Sequence, residues 1–139
     1  MRIFEGKVVD GWQLATPNLN PVMELIKVRT GLTKLWPGTL NLQLSEDYIV
    51  KADAVIKPEE YPSNRIHGTN ETIKFQRCLA GAYKALIMRP DTHEAGGGHG
   101  TNHFEIMSSV RLRDALKLTN GDVLKVQVEG DDVWWNSGI

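Results

Sequence analysis

A hydroxyl and a carboxamide separated by one residue, Thr39 and Asn41, are the side chains of this sequence whose types and spacing best suit chemistry. They follow Pro37-Gly38, which favours a turn because proline fixes φ and glycine tolerates positive φ. From 39 to 44 polar residues alternate with leucines, which predicts a strand with one polar face. Neutral oxygens on that face suit a hard cation such as Mg²⁺, which completes its shell with water and phosphate oxygens. The alternative is that both side chains are merely solvated or capping residues.

The composition favours one domain over residues 1–139, with a core that needs no disulfide. The formal net charge is −1, from 16 basic and 17 acidic residues, which gives no support to binding of nucleic acid or a membrane. Cys78 is the only cysteine, and it is expected to be a buried thiol in a reducing compartment. No apolar run is long enough to span a bilayer, and residues 1–6 lack a signal-peptide core. A soluble cytoplasmic protein is therefore expected.

The apolar pattern predicts a mainly β protein with two short helices. One helix is predicted at about 21–30, after Asn20, and a shorter one after a capping Ser109. The segment 57–71 is rich in proline and charge and is expected to be irregular. The absence of a βαβ alternation favours a small barrel over a doubly wound sheet. The predicted strands are 3–9, 39–44, 52–56, 72–79, 83–88, 104–107 and 123–128.

Two further segments have open roles. Residues 95–100 are glycine-rich and are expected to be a flexible stretch that serves either as a lid or as a linker. His93, His99 and His103 lie in or near this segment, which keeps a metal cluster open as an alternative. The tail 133–139, with its two adjacent tryptophans, either packs back on the barrel or forms an oligomer contact.

Four stretches of the chain share their order and spacing with one known family. They are 4–11 (Phe-Glu-Gly-Lys-Val-Val-Asp-Gly), 36–42 (Trp-Pro-Gly-Thr-Leu-Asn-Leu), 89–93 (Arg-Pro-Asp-Thr-His) and 104–123, which contains Val-Arg-Leu-Arg and Gly-Asp-Val. Together they resemble the archaeal-type CTP-dependent riboflavin kinases. The resemblance implies a six-stranded cradle-loop β-barrel. It also implies transfer of a phosphoryl group from CTP to the 5′-hydroxyl of riboflavin, which gives FMN and CDP with Mg²⁺.

The resemblance implies roles for particular residues. Thr39 and Asn41 match magnesium ligands, a role that their strand geometry allows. Glu105 matches a flavin-contacting glutamate, and a carboxylate in that place is a candidate to accept the proton of the riboflavin hydroxyl. Thr92 matches a threonine on the phosphate side of the flavin. The nucleotide is assigned to the first loop and to a basic segment that supplies local positive charge, namely Gly11, Trp12, Gln13, Val110, Arg111, Leu112 and Arg113.

Alternatives stay open at several of these positions. The alternative for Glu105 is a solvated or salt-bridged strand residue, that for Thr92 is a turn residue, and that for Arg113 is a charge on a helix surface. The first loop keeps only Gly11 of the family's glycines, so a kinase with a different donor or acceptor is one alternative function. Trp12 is then free to stack on a base or a flavin ring. Another alternative is a non-catalytic flavin- or nucleotide-binding barrel. Riboflavin or FMN and CTP or CDP are the expected partners of a monomer or small homo-oligomer.

Overall fold

The computed structural model describes residues 1–11, 20–61, 72–91 and 100–137. The predicted mainly β class with short helices is confirmed. Single 3₁₀ turns lie at Asn20–Val22 and Pro58–Glu60. Within the described residues, no helix has the length and apolar character needed to cross a membrane. The elements are β1 (Arg2–Val9), α1 (Met23–Thr30), β2 (Leu40–Gln43), β3 (Ala54–Ile56), β4 (Ile73–Ala80), β5 (Tyr83–Pro90), β6 (His103–Ser108), α2 (Leu112–Ala115), β7 (Val123–Val128) and α3 (Asp131–Asn136).

Six of the strands close into a barrel. The order along the sheet is β3-β4-β5-β6-β2-β1-β7, and every paired strand is antiparallel. The ring closes because β7 also pairs with β4, where Cys78 opposes Val128. The short β3 pairs only with the start of β4 and stands outside the ring. The expected six-stranded barrel is thus confirmed, and closure removes the two free edges that the six ring strands would have as an open sheet.

One face of each barrel strand contributes to the first of two hydrophobic cores. Phe4 and Phe104 meet edge to face with their ring centroids 5.4 Å apart, and Tyr48 packs beside both rings. Cys78 lies in this core as expected, where burial raises the pKa of its thiol and keeps it in the unreactive form. The core also contains Val8, Leu40, Leu42, Ile87, Ile106, Leu124, Val126 and Val128.

The second core lies on the opposite face of the strands, under α1 and α3. Trp134 of α3 is 2% exposed, and its indole Nε1 donates a hydrogen bond to the carbonyl oxygen of Ala85 at 3.1 Å. Trp135 packs against Gly31, whose φ of +85° ends α1; a Cβ at Gly31 would lie 2.3 Å from that ring. The tail therefore packs back on the barrel and forms a third helix. The other members include Val22, Ile26, Leu32, Phe75, Leu86 and Met107.

Some boundaries differ from the prediction. Ser109 does not cap α2: the helix begins only at Leu112, so the Ser109 side chain stands too far ahead of the amides that a cap must reach. The third strand begins at Ala54 rather than at 52. The helix predicted at 21–30 and the hairpin that joins β4 to β5 are confirmed. Most of the expected irregular segment, 62–71, and of the glycine-rich segment, 95–99, lies outside the described residues.

Candidate functional site

Four polar side chains gather on one face of the β2–β6 pair. The register places Asn41 opposite Glu105 and Gln43 opposite His103. Because side chains alternate along a strand, Asn41, His103 and Glu105 point away from the barrel core that their leucine, phenylalanine and isoleucine neighbours fill. Thr39, just before β2, joins them through its hydroxyl, which lies 3.4 Å from Oε2 of Glu105. The structure thus brings together the two predicted metal ligands and the predicted catalytic carboxylate.

The Glu105 carboxyl is partly buried rather than solvated. Burial raises its pKa to about 7, while the Thr39 hydroxyl and the charge of Arg89 oppose that rise because they favour the carboxylate. A carboxyl that titrates near neutrality can take up a proton and release it again at the pH of the cell. The burial of the carboxyl excludes the alternative of a fully solvated strand residue.

Arg89 lies behind this carboxyl and was not predicted. It is fully buried, and its guanidinium donates hydrogen bonds to the carbonyl oxygens of Tyr48 at 2.8 Å and His103 at 3.1 Å. A third contact reaches the carbonyl oxygen of Thr101 at 3.4 Å. These contacts fix the start of β6, on which Glu105 lies, against the segment that follows β2. Arg89 belongs to a stretch that carried the family resemblance, but its sequence offers no sign that the charge is buried.

Asn41 is buried, so it is not the solvated residue of the alternative interpretation. Its side chain is 8% exposed, and its Oδ1 lies 2.9 Å from Nε2 of His103. On its other side it abuts Gly11, where a Cβ would come within 2.1 Å of Nδ2. The glycine is required there because any larger residue would displace the carboxamide. His103 could have been found from sequence, since it precedes Glu105 by two residues and therefore shares its strand face.

A cleft of about 290 Å³ opens beside these residues. One wall is the segment 36–40, which includes Thr39 and the exposed ring of Trp36. The other wall is 110–113, the segment predicted to contact the nucleotide. Two stretches that are far apart in the sequence thus line one cavity.

The two arginines of the basic segment have different partners. Arg111 is exposed and forms an ion pair with Asp114 at 2.7 Å. Arg113 donates to Oδ1 of Asn120 at 2.7 Å and to the carbonyl oxygen of Val9 at 3.4 Å. Arg113 is therefore more than a surface charge, because it ties α2 to the end of β1 where the first loop begins. Both guanidinium groups lie beside the cleft, and Arg113 also forms an ion pair with Asp10 at 3.5 Å.

The donor set fits a hard cation. Thr39 Oγ1 and Asn41 Oδ1 offer oxygen atoms, the ligands that Mg²⁺ prefers, and Mg²⁺ commonly takes only a few of them from protein. Within the described ranges there is no group of three or more His, Cys, Asp and Glu side chains that could hold a metal. Of the histidines in the alternative cluster, His103 contacts Asn41, while His93 and His99 lie outside the described residues. Trp12, Gln13 and Thr92 lie outside them as well.

The fold and the site together define a class of protein: a closed antiparallel barrel with a cleft between a Pro-Gly-Thr-Leu-Asn segment and a Val-Arg-Leu-Arg segment. A family model named CTP-dep_RFKase, described as "Domain of unknown function DUF120", matches residues 18–128. Because that match covers well over half of the sequence, the chain belongs to this family.

Several curated relatives are similar to this chain. It is 34% identical to the riboflavin kinase of Methanosarcina barkeri over 68% of this chain and 41% of that protein. It is 33% identical to the riboflavin kinase of Pyrobaculum arsenaticum, over 74% of this chain and 48% of that protein. The chain therefore spans less than half the length of these two relatives. The riboflavin kinase of Aeropyrum pernix is 27% identical over 91% of this chain and 95% of its own length.

Proposed function

We propose that this protein is a riboflavin kinase that transfers the terminal phosphoryl group of CTP to the 5′-hydroxyl of riboflavin, with Mg²⁺. The observation that carries the proposal is the cleft whose two walls are 36–40 and 110–113, with Glu105 hydrogen-bonded to Thr39 at its edge. The family name and the names of the relatives support the same reaction. A nucleoside triphosphate substrate and a single buried cysteine support a cytoplasmic location.

Proton transfer is the part of the reaction assigned to Glu105. Its carboxylate accepts the proton of the 5′-hydroxyl while that oxygen forms a bond to the terminal phosphorus of the donor. The bond from this phosphorus to the bridging oxygen breaks, and CDP leaves with the electron pair. A pKa near 7 lets Glu105 release the proton afterwards to solvent or to the departing products.

The other residues of the site bind the cation and the nucleotide and orient them for the reaction. Thr39 and Asn41 would hold Mg²⁺, which when bound neutralises phosphate charge. Arg111 and Arg113 supply positive charge beside the cleft for the phosphate oxygens of the nucleotide. The hydroxyl and the terminal phosphate must be held in line, so most of the rate enhancement is expected from positioning. The family resemblance extends the nucleotide site to Gly11, Trp12 and Gln13, and the flavin site to Thr92.

The test is an assay of the purified protein with riboflavin, Mg²⁺ and each of CTP, ATP, GTP and UTP, in which FMN is measured by chromatography. FMN from CTP alone supports the proposal in full. FMN from another donor keeps the kinase but refutes CTP as its substrate. Folded protein that forms no FMN with any donor refutes the proposal and favours a binding barrel or a kinase with a different acceptor.

Replacement of the proposed ligand Asn41 tests the metal site. We expect Asn41→Ala to lower kcat/KM for FMN formation at least tenfold, because one oxygen ligand of Mg²⁺ is lost. Part of the loss should be recovered at higher Mg²⁺ concentration. Gln43→Ala is the matched control, since Gln43 is the exposed end of the same strand and its carboxamide donates hydrogen bonds to the carbonyl oxygens of Leu44 and Asn102. Wild-type activity in a folded Asn41→Ala variant would remove Asn41 from the site.

The close contact between Gly11 and Asn41 leads to a second expectation. The Cβ of Gly11→Ala would lie within 3 Å of three atoms of the Asn41 carboxamide, so that carboxamide must rotate or shift. We expect a KM for Mg²⁺ raised about tenfold, by analogy with loss of a residue that orients a ligand. Gly130→Ala is the control, because its Cβ would meet the flexible end of Gln127 at 3.2 Å and Met1 Cγ at 3.9 Å, both outside the site. Equal Mg²⁺ dependence in both variants would show that the contact does not matter.

A further inference from the structure

We infer that His103 is a positioning residue that holds the carboxamide of Asn41 with its oxygen fixed for cation binding. The inference rests on the proposed function, because it assigns Asn41 to the Mg²⁺ site. It adds a residue that acts through Asn41 and touches neither the cation nor a substrate.

The hydrogen bond between the two side chains has only one possible direction. A carboxamide oxygen only accepts, so the 2.9 Å contact between Oδ1 of Asn41 and Nε2 of His103 requires that Nε2 carry the hydrogen. The oxygen keeps a second lone pair, which is available to a cation. Without this donor, a rotation of the carboxamide by half a turn would exchange Oδ1 for Nδ2, and an NH₂ group cannot bind a metal ion.

His103 is itself held rigidly. Its side chain is 3% exposed, and it lies at the start of β6, where its backbone pairs with Gln43. Its carbonyl oxygen accepts a hydrogen bond from the buried guanidinium of Arg89 at 3.1 Å. Gly11 closes the other side of Asn41. The Asn41 carboxamide is therefore enclosed between the imidazole of His103 and the backbone of Gly11. Residues that contact a metal ligand in this way fix its orientation.

Two variants separate this role from a structural one. Both His103→Leu and His103→Gln change a buried side chain, but only glutamine can still donate to Oδ1. Binding of Mn²⁺, a paramagnetic substitute for Mg²⁺, is followed by electron paramagnetic resonance with the metal alone and with CDP. We expect His103→Leu to bind Mn²⁺ about tenfold more weakly than wild type, and His103→Gln to recover most of that loss. Gln76→Leu is the control, since it removes a buried amide whose hydrogen bonds go to Tyr48 and the backbone of Lys51.

If the substitutions only lowered the stability of the fold, Mn²⁺ affinity would not distinguish His103→Leu from the other two variants. Each of the three substitutions changes a buried polar side chain, so all three variants should unfold in less urea than wild type, but only His103→Leu should lose metal affinity. Equal Mn²⁺ affinity in His103→Leu and wild type overturns the inference, as does failure of wild type to bind Mn²⁺ in either arm. So does an ¹⁵N spectrum in which Nε2 of His103 carries no proton.

The FMN assay separates this inference from the proposed function. If wild type forms FMN and His103→Leu keeps its Mn²⁺ affinity, the kinase stands and the positioning role fails. If wild type forms no FMN with any nucleotide yet loses Mn²⁺ affinity through His103→Leu, the positioning of Asn41 is supported and the proposed reaction fails.

Discussion

Glu105→Gln is expected to reduce kcat for FMN formation by about 10²- to 10⁴-fold, the usual contribution of a general base. The amide keeps the size of the side chain and can still contact the Thr39 hydroxyl, which lies 3.4 Å from Oε2. Substrate binding should therefore change little, and the loss should fall on kcat rather than on KM. In wild type kcat should rise with pH to a plateau above about 7, because only the carboxylate accepts a proton. The variant should lose this rise.

The same substitution should stabilise the protein at alkaline pH. The pKa of Glu105 is about 7 in the folded protein and near 4.5 in the unfolded chain, so the folded state binds the proton more tightly. The contribution of Glu105 to the free energy of unfolding is thus greatest below pH 4.5 and is lost as pH rises through 7. Glutamine has no charge to bury. We expect Glu105→Gln to raise the free energy of unfolding by up to about 3 kcal/mol at pH 8.5 and by less than about 1 kcal/mol at pH 5.

Urea unfolding at the two pH values, together with initial rates between pH 5.5 and 8.5, measures both effects. Glu5→Gln controls for the loss of one negative charge, since Glu5 is exposed on β1 and takes no part in the site. A Glu105→Gln variant with wild-type kcat and an unchanged pH profile would exclude Glu105 as the base. A Glu105→Gln variant that gains stability without any loss of activity would mean that the buried carboxyl destabilises the fold and takes no part in the reaction.

Trp134→Ala is expected to cost about 3–5 kcal/mol of folding free energy, the typical loss for removal of a buried aromatic ring. The substitution leaves a cavity in the second core and removes the donor to the Ala85 carbonyl oxygen. It also removes the ring beneath the ammonium of Lys84, which lies 4.9 Å from the ring centroid. The protein that remains folded should keep its kcat and its Mg²⁺ dependence, because the cleft is lined by other segments.

Trp135→Ala is the matched control for this loss. The two rings are adjacent and meet edge to face at 4.9 Å, but Trp135 is 50% exposed. Its removal should therefore cost less than half as much in urea unfolding. A Trp134→Ala variant as stable as wild type would show that α3 contributes little to the fold, and that the tail needs another role.

Features that depend on a single strand or turn could be predicted from the sequence. The alternation around Thr39 and Asn41 gave the correct strand and face, and the turn at Gly81 gave the correct hairpin. Burial of Asn41 could not be read in the same way, because it depends on Gly11 and His103, which lie far away along the chain. A two-residue period defines a face but does not tell what covers it.

Contacts across the barrel were the main limit of prediction. The pairing of β2 with β6 spans about sixty residues, and the register follows from closure of the ring rather than from any turn between them. The site of Thr39 and Glu105 was thus anticipated only through the family resemblance. Arg89 was missed because nothing local marks an arginine as buried, and α3 was missed because its packing on Gly31 depends on a helix a hundred residues earlier.

The pairing of the first barrel strand, β1, with the last one, β7, has a consequence for folding during synthesis. Its first strand lies between β2 and β7, and Arg2 finds its partner only at Val128. A ribosome releases β1 long before the strand that seals it, so the growing chain carries an open edge through most of its synthesis. Contacts of such long range also slow the final closure. The closed ring has few unpaired backbone groups for another chain to pair with, whereas the incomplete ring exposes many of them. Aggregation is therefore a greater risk during synthesis than in the folded state.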